Sequence, residues 1–133
     1  MEATFSIVND RSRGLMRITM AGFFEDADIA RFLVARNREL VALGTRSNDH
    51  LTLVDIRAMD IQAADSVAGF GRVLADPRTV SRRIAFVTGR SLAAMQIRRA
   101  AQGRDTRYFD ELDEAEHWLL AAEPSMRSAS RAG

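Results

Sequence analysis

Three aspartates spaced five residues apart, Asp55, Asp60 and Asp65, are the first residues of this chain whose type and spacing suggest chemistry. Hard cations need several oxygen ligands in a set geometry, and acids gathered by a tight loop supply them. No loop of the DxDxDG kind is present, so these acids read as loop-end and capping residues and no metal is expected. His50 and His117 lack the spacing of a zinc pair, and a Ser-His-Asp triad would need a nucleophile elbow that the chain does not contain. There is no cysteine, and all 19 basic residues are arginine. Thiolate chemistry, disulfides, Schiff bases and a P-loop lysine are therefore excluded. We expect no enzyme and no cofactor.

Two stretches suit anions better than catalysis. Thr88-Gly89-Arg90-Ser91 follows an apolar strand and precedes a helical pattern, where backbone N–H groups, a serine and an arginine can hold negative charge. Arg57 and Asp55 lie at the end of the neighbouring strand and would converge with Arg90 on such a ligand, although Ser91 serves equally as a plain N-cap. Asp65-Ser66-Val67-Ala68-Gly69 opens another helical pattern, with Arg72 further along it. A phosphate on Ser66 would face the N–H groups and the positive dipole end of that helix. Either Asp65 or Ser66 would also serve as its cap, worth about 1 kcal/mol.

The elements that position these residues follow from periodicity. Thr4–Val8 and Leu15–Met20 are β-rich runs separated by Asn9-Asp10-Arg11-Ser12-Arg13-Gly14, the composition of a hairpin turn. Acids Glu25, Asp26 and Asp28 open a helix that runs to Leu43, with Ile29, Phe32, Leu33, Leu40 and Val41 on its apolar stripe and Gly44 past its end. Leu51–Ile56 is a buried strand. A helix spans Ala64 to Ala75 with Val67, Phe70, Val73 and Leu74 inward, and its Gly69 and Gly71 suggest close approach of a neighbour. Ile84–Val87 is the next strand, followed by a helix carrying Leu92, Met95 and Ile97. Arg107–Phe109 is a last strand. Asp110, with Asp113 three residues on, then caps a helix presenting Ala115, Trp118, Leu119 and Ala122. Long helices between strands imply parallel pairing. Of Phe23 and Phe24 one lines a pocket mouth or contact. Met16, Met20, Met59 and Met95 would suit an adaptable apolar cleft or, for most of them, ordinary core packing.

Composition agrees with one α/β domain over residues 3–122 and a flexible tail over 123–133. The chain has 133 residues, a hydrophobic fraction of 47% and a net charge of +1. That balance gives no field for nucleic acid. No apolar run reaches the roughly 18–20 residues of a membrane span, so no transmembrane segment is expected. Met1 to Asp10 lacks the features of a signal peptide, and a cytoplasmic bacterial protein is expected.

The order β-β-α-β-α-β-α-β-α, with Leu53-Val54-Asp55-Ile56-Arg57, Arg83-Ile84-Ala85-Phe86-Val87 and Arg107-Tyr108-Phe109-Asp110 through Ala115-Glu116-His117-Trp118-Leu119, resembles the STAS fold. More closely it resembles the SpoIIAA-like group associated with CRAL-TRIO lipid-binding domains. The resemblance implies a mixed, mostly parallel β-sheet with an N-terminal antiparallel hairpin and about four helices. It also implies a non-enzymatic regulatory or interaction module akin to anti-sigma-factor antagonists, with Ser66 as the switch serine and Asp55, Asp60, Asp65 and Arg72 around it. The expected partner is a protein, met through the rim from Asp60 to Phe70, and a homodimer suits the shape. The alternative is a domain that binds a small apolar or lipid-like ligand.

Overall fold

Alternating apolar and polar residues at the N-terminus build an antiparallel pair, β1 (Thr4–Asp10) and β2 (Leu15–Gly22), in which Phe5 faces Met20 and Ile7 faces Ile18. The computed structural model describes residues 2–46, 48–76, 78–79, 81–89 and 106–121. A single 3-10 turn, Arg11–Arg13, joins the two strands and ends on Gly14 at φ 62°. A Cβ there would stand 3.1 Å from Thr45 Cγ2, so both backbone and packing require glycine.

β2 pairs in parallel with β3 (Leu51–Met59), β3 with β4 (Arg83–Val87) and β4 with β5 (Thr106–Phe109), giving the order β1-β2-β3-β4-β5. Parallel neighbours need crossovers. Helix α1 (Asp26–Leu43) links β2 to β3, α2 (Ala64–Ala75) links β3 to β4, and α3 (Leu112–Ala121) follows β5. This is the mixed, mostly parallel sheet with an N-terminal hairpin that the sequence led us to expect. Three α-helices are described; the helix expected around Leu92–Ala101 and the tail over 123–133 lie outside the described residues.

The two-residue period of the strands divides the core into two layers. Ile18, Val54, Ile56 and Phe86 face α1 and α2 and meet Ile29, Phe32 and Phe70. Leu15, Leu53, Ala85 and Val87 face the other way and are covered by Ala115 and Leu119 of α3. Met16, Met20 and Met59 are packed in the first layer rather than lining a cleft, and Met95 lies outside the described residues.

Three local expectations are corrected. Val41 is 82% exposed, and the inward position on α1 is taken by Arg36 instead. At 3.6 residues per turn, Val41 lies about 140° around the helix from Arg36, so both cannot face the sheet. In α2 the N-cap is Ala63, which leaves Asp65 in the first turn and Ser66 facing inward, so neither caps the helix. In α3 the Glu111 carbonyl accepts from Ala115 N and the helix starts at Leu112. The Asp110–Asp113 pair therefore falls one residue ahead of where a capping box needs it.

Candidate functional site

The carboxyl ends of β2, β3, β4 and β5 all point to one end of the sheet, the usual place for a binding site in an open α/β fold. There the chain leaving β2 is tied to the loop leaving β3 by one side chain, Gln62. Its Oε1 accepts from Phe24 N at 2.8 Å, while its Nε2 donates to Gly22 O at 3.0 Å and also to Asp60 O. Asp60 N donates to Gly22 O at 3.1 Å. Ser66 completes the latch, donating from Oγ to Phe24 O at 2.6 Å. Gln62 and Ser66 are both buried, and Phe24 between them packs edge-on against Phe70. Buried polar groups persist only when hydrogen-bonded, and these are.

Around this latch the exposed side chains are both apolar and charged. Phe23 and Ile61 are 36% and 54% exposed, large for apolar side chains held on a rigid support. Ala63, Ala64 and Ala68 are exposed beside them, and Asp65 and Arg72 are the exposed charges of α2. The expectation that only one of the two adjacent phenylalanines is core therefore holds: Phe24 is fully buried. Gly69 is buried against α1, where a Cβ would sit 3.4 Å from Ile29 Cδ1. The close approach expected there is to a helix.

Asp55 and Arg57 lie elsewhere. Asp55 stands opposite Thr19 and Val87, on the α3 side of the sheet, whereas its neighbours Val54 and Ile56 face α1 and α2. One extra residue in β3 between Asp55 and Ala58 forms a β-bulge and leaves Arg57 and Ala58 both exposed. Across it the Arg57 guanidinium grips the Asp55 carboxylate, Nε at 3.0 Å and Nη2 at 2.8 Å, with Arg57 N adding a third bond at 3.1 Å. Burial pushes the Asp55 carboxyl up, but these bonds outweigh it and hold the group below the usual range. Gly89, at φ 62°, lies beside Arg57: a Cβ on it would be 3.7 Å from Arg57 Cγ. Asp55, Arg57 and Gly89 thus come together, while Ser66, Asp60 and Asp65 gather at the α2 side. Arg90 and Ser91 lie outside the described residues.

Gln62 was not anticipated, because a glutamine between Ile61 and Ala63 carries no motif and its value lies in three acceptors and donors that only the fold assembles. A second unanticipated group sits at the opposite, amino end of the parallel strands. His50, just before β3, shares a hydrogen bond between Nε2 and Ser81 Oγ at 3.1 Å, and Ser81 Oγ is 2.5 Å from Thr52 Oγ1. Beside them Arg36 donates from Nη2 to Thr79 Oγ1 at 3.1 Å and from Nε to Asn37 Oδ1 at 3.1 Å. Burial first, and the charge of Arg36 second, push His50 down to about 4 against a weaker pull from Asp49. The imidazole is therefore neutral at pH 7.

Among the described residues, no group of three or more acidic or histidine side chains is arranged to hold a metal. No described helix is long and apolar enough to cross a membrane.

Comparison with known proteins gives a family and a fold. The family profile described as SpoIIAA-like matches residues 15–120. Among solved structures, an uncharacterised protein with a SpoIIAA-like fold from Shewanella loihica superposes with a TM-score of 0.69 at 15% identity, covering 90% of this chain and 96% of that one. An anti-sigma factor antagonist from Mycobacterium paratuberculosis superposes with a TM-score of 0.63 at 11% identity, covering 89% and 94%. No curated protein sequence matches the chain.

Proposed function

Because the chain belongs to the SpoIIAA-like family, we propose that it is a non-enzymatic regulatory module that binds a protein partner through the rim formed by Phe23, Ile61 and the outward face of α2. The observation that carries this reading is the exposed pair Phe23 and Ile61 standing on the buried Gln62–Ser66 latch. Apolar side chains on a pre-ordered support lose little entropy on docking, so more of their burial appears as affinity. Exposed Asp65 and Arg72 supply the polar edge that surrounds the apolar centre of a protein interface. A protein partner also accords with the structural neighbour named as an anti-sigma factor antagonist.

Phosphorylation of Ser66 would be the regulated form of this module. Its hydroxyl is a donor to the Phe24 carbonyl. A phosphoryl group replaces that donor with acceptors and negative charge, which a buried carbonyl repels. The modification would thus lift the start of α2 away from Phe24 and disorder the rim. It requires α2 to open first, since Ser66 is buried.

The test is co-purification from native extract with tagged protein, comparing wild type with Ile61→Asp and with Val41→Asp, an equally drastic change on the outer face of α1. A discrete partner retained by Val41→Asp and lost by Ile61→Asp is expected. A partner lost equally from both, or from neither, would overturn the assignment to this rim.

A further inference from the structure

The polar group at the amino end of the parallel strands, remote from the docking rim, has a charge imbalance of its own. Arg36 is 9% exposed, and arginine stays protonated in proteins. Buried charges are ordinarily paired. Yet its hydrogen bonds go to the neutral oxygens of Thr79 and Asn37, and among the described residues no carboxylate lies within ion-pair distance of it. The acid whose field reaches it, Asp76, is held bidentately by Arg78, Nε at 3.1 Å and Nη2 at 2.9 Å. The nearby Asp49 carboxylate faces Arg82 at 3.5 Å.

The donors around this cation are those that recognise an oxyanion. Nη1 of Arg36 has no acceptor among the described residues. Thr79 and Ser81 are partly exposed; the Thr79 hydroxyl oxygen accepts from Arg36, and Ser81 Oγ lies within hydrogen-bond distance of His50 and Thr52. A guanidinium with Nη1 uncommitted among the described residues, and the hydroxyls of Thr79 and Ser81, are the donor types from which a tetrahedral oxyanion accepts.

We propose that Arg36, Thr79 and Ser81 form a binding site for a phosphate-class oxyanion, either free or as the terminal phosphoryl group of a small molecule. The anion supplies the counter-charge that the fold leaves out. It lies at the end of the sheet opposite the rim, so its occupancy is independent of whether that rim docks a partner.

Thermal unfolding and calorimetry of the full chain with inorganic phosphate, phenyl phosphate and acetate, at constant ionic strength, test the site. Saturable binding of phosphate or its monoester is expected, with the midpoint rising as the logarithm of concentration above the dissociation constant. Binding of inorganic phosphate identifies the free anion as sufficient; binding of phenyl phosphate alone assigns the site to an esterified phosphoryl group. Acetate, planar and singly charged, should bind at least about tenfold more weakly. Arg36→Met should weaken binding by about a hundredfold, and Thr79→Val, which keeps the side-chain shape, by about tenfold. A bound anion should also raise the His50 titration midpoint seen by NMR, because it offsets the Arg36 charge. The proposal is overturned if wild type shows no saturable binding at about 10 mM of either phosphate probe, far above ordinary metabolite affinities. It is equally overturned if Thr79→Val, and Arg36→Met where that variant folds, bind as wild type does.

Discussion

Lowering the pH should unfold this protein through His50 before its carboxylates are protonated. The unfolded imidazole has the ordinary value near 6.5, and in the folded protein burial and the Arg36 charge bring it to about 4. For a base whose folded value is depressed, the unfolded chain binds the extra proton, so stability rises with pH across the interval between the two values. The contribution is full above about pH 6.5 and falls by up to about 1.4 kcal/mol per pH unit below it. The loss amounts to about 2 kcal/mol at pH 5 and about 3 kcal/mol by pH 4, a large share of a small domain's stability. The depressed carboxylates act in a separate window. Asp76 is held down to about 2 by its bonds from Arg78, and Asp55 is also lowered, so their contributions are present above the ordinary carboxylate value and go only as pH falls below it. Urea unfolding followed by Trp118 fluorescence at pH 7.5, 6.5, 5.5 and 4.5, in wild type and His50→Gln, measures the slope. Wild type should lose stability steadily below pH 6.5, and His50→Gln should be nearly flat to pH 5. Equal slopes in the two proteins, or an NMR titration of His50 near its ordinary value, would refute the reasoning.

Further outcomes follow from the latch and the helix contacts. Gln62→Leu leaves the buried Phe24 N–H without its acceptor and should cost about 2–3 kcal/mol by chemical denaturation, with faster hydrogen exchange at Phe24. Ser66→Ala removes one bond to Phe24 O and should cost about 1 kcal/mol, whereas Ser66→Glu places an unpaired charge in the same pocket and should cost several times more or detach α2, read by circular dichroism. Gly69→Ala should stabilise the protein by about 0.5–1 kcal/mol, since its Cβ meets Ile29 at contact distance and alanine is the better helix former. Arg57→Ala should raise the Asp55 carboxyl from its lowered position, because burial is then opposed only by the backbone N–H of residue 57; side-chain carboxyl NMR titration reads this directly.

Most of the fold was legible because it is written in local periodicity. The hairpin, both crossover helices and the strands at Leu51, Ile84 and Arg107 appear within one to three residues of their expected limits. The β-bulge in β3 was not, because Leu51–Ile56 reads as a regular apolar run and the extra residue shows only against the register of β2. The candidate site was legible in position but not in grouping. A two-residue period puts Asp55 on the α3 side and the Ser66 latch on the α2 side, and which acids share a face depends on where each strand ends. Arg36 escaped notice because a charged residue at an inward helical position breaks the apolar stripe, and the hydroxyl of Thr79 that accepts from it is brought in from a distant loop.

The docking rim is the central claim, and site-specific photo-crosslinking in the native host tests it most directly. A photoreactive residue at Ile61 should give one discrete heavier species that is absent when the same residue replaces Val41, an exposed apolar position on the outer face of α1. Crosslinks of the same pattern from both positions, or none from Ile61 while Val41 captures a protein, would contradict it.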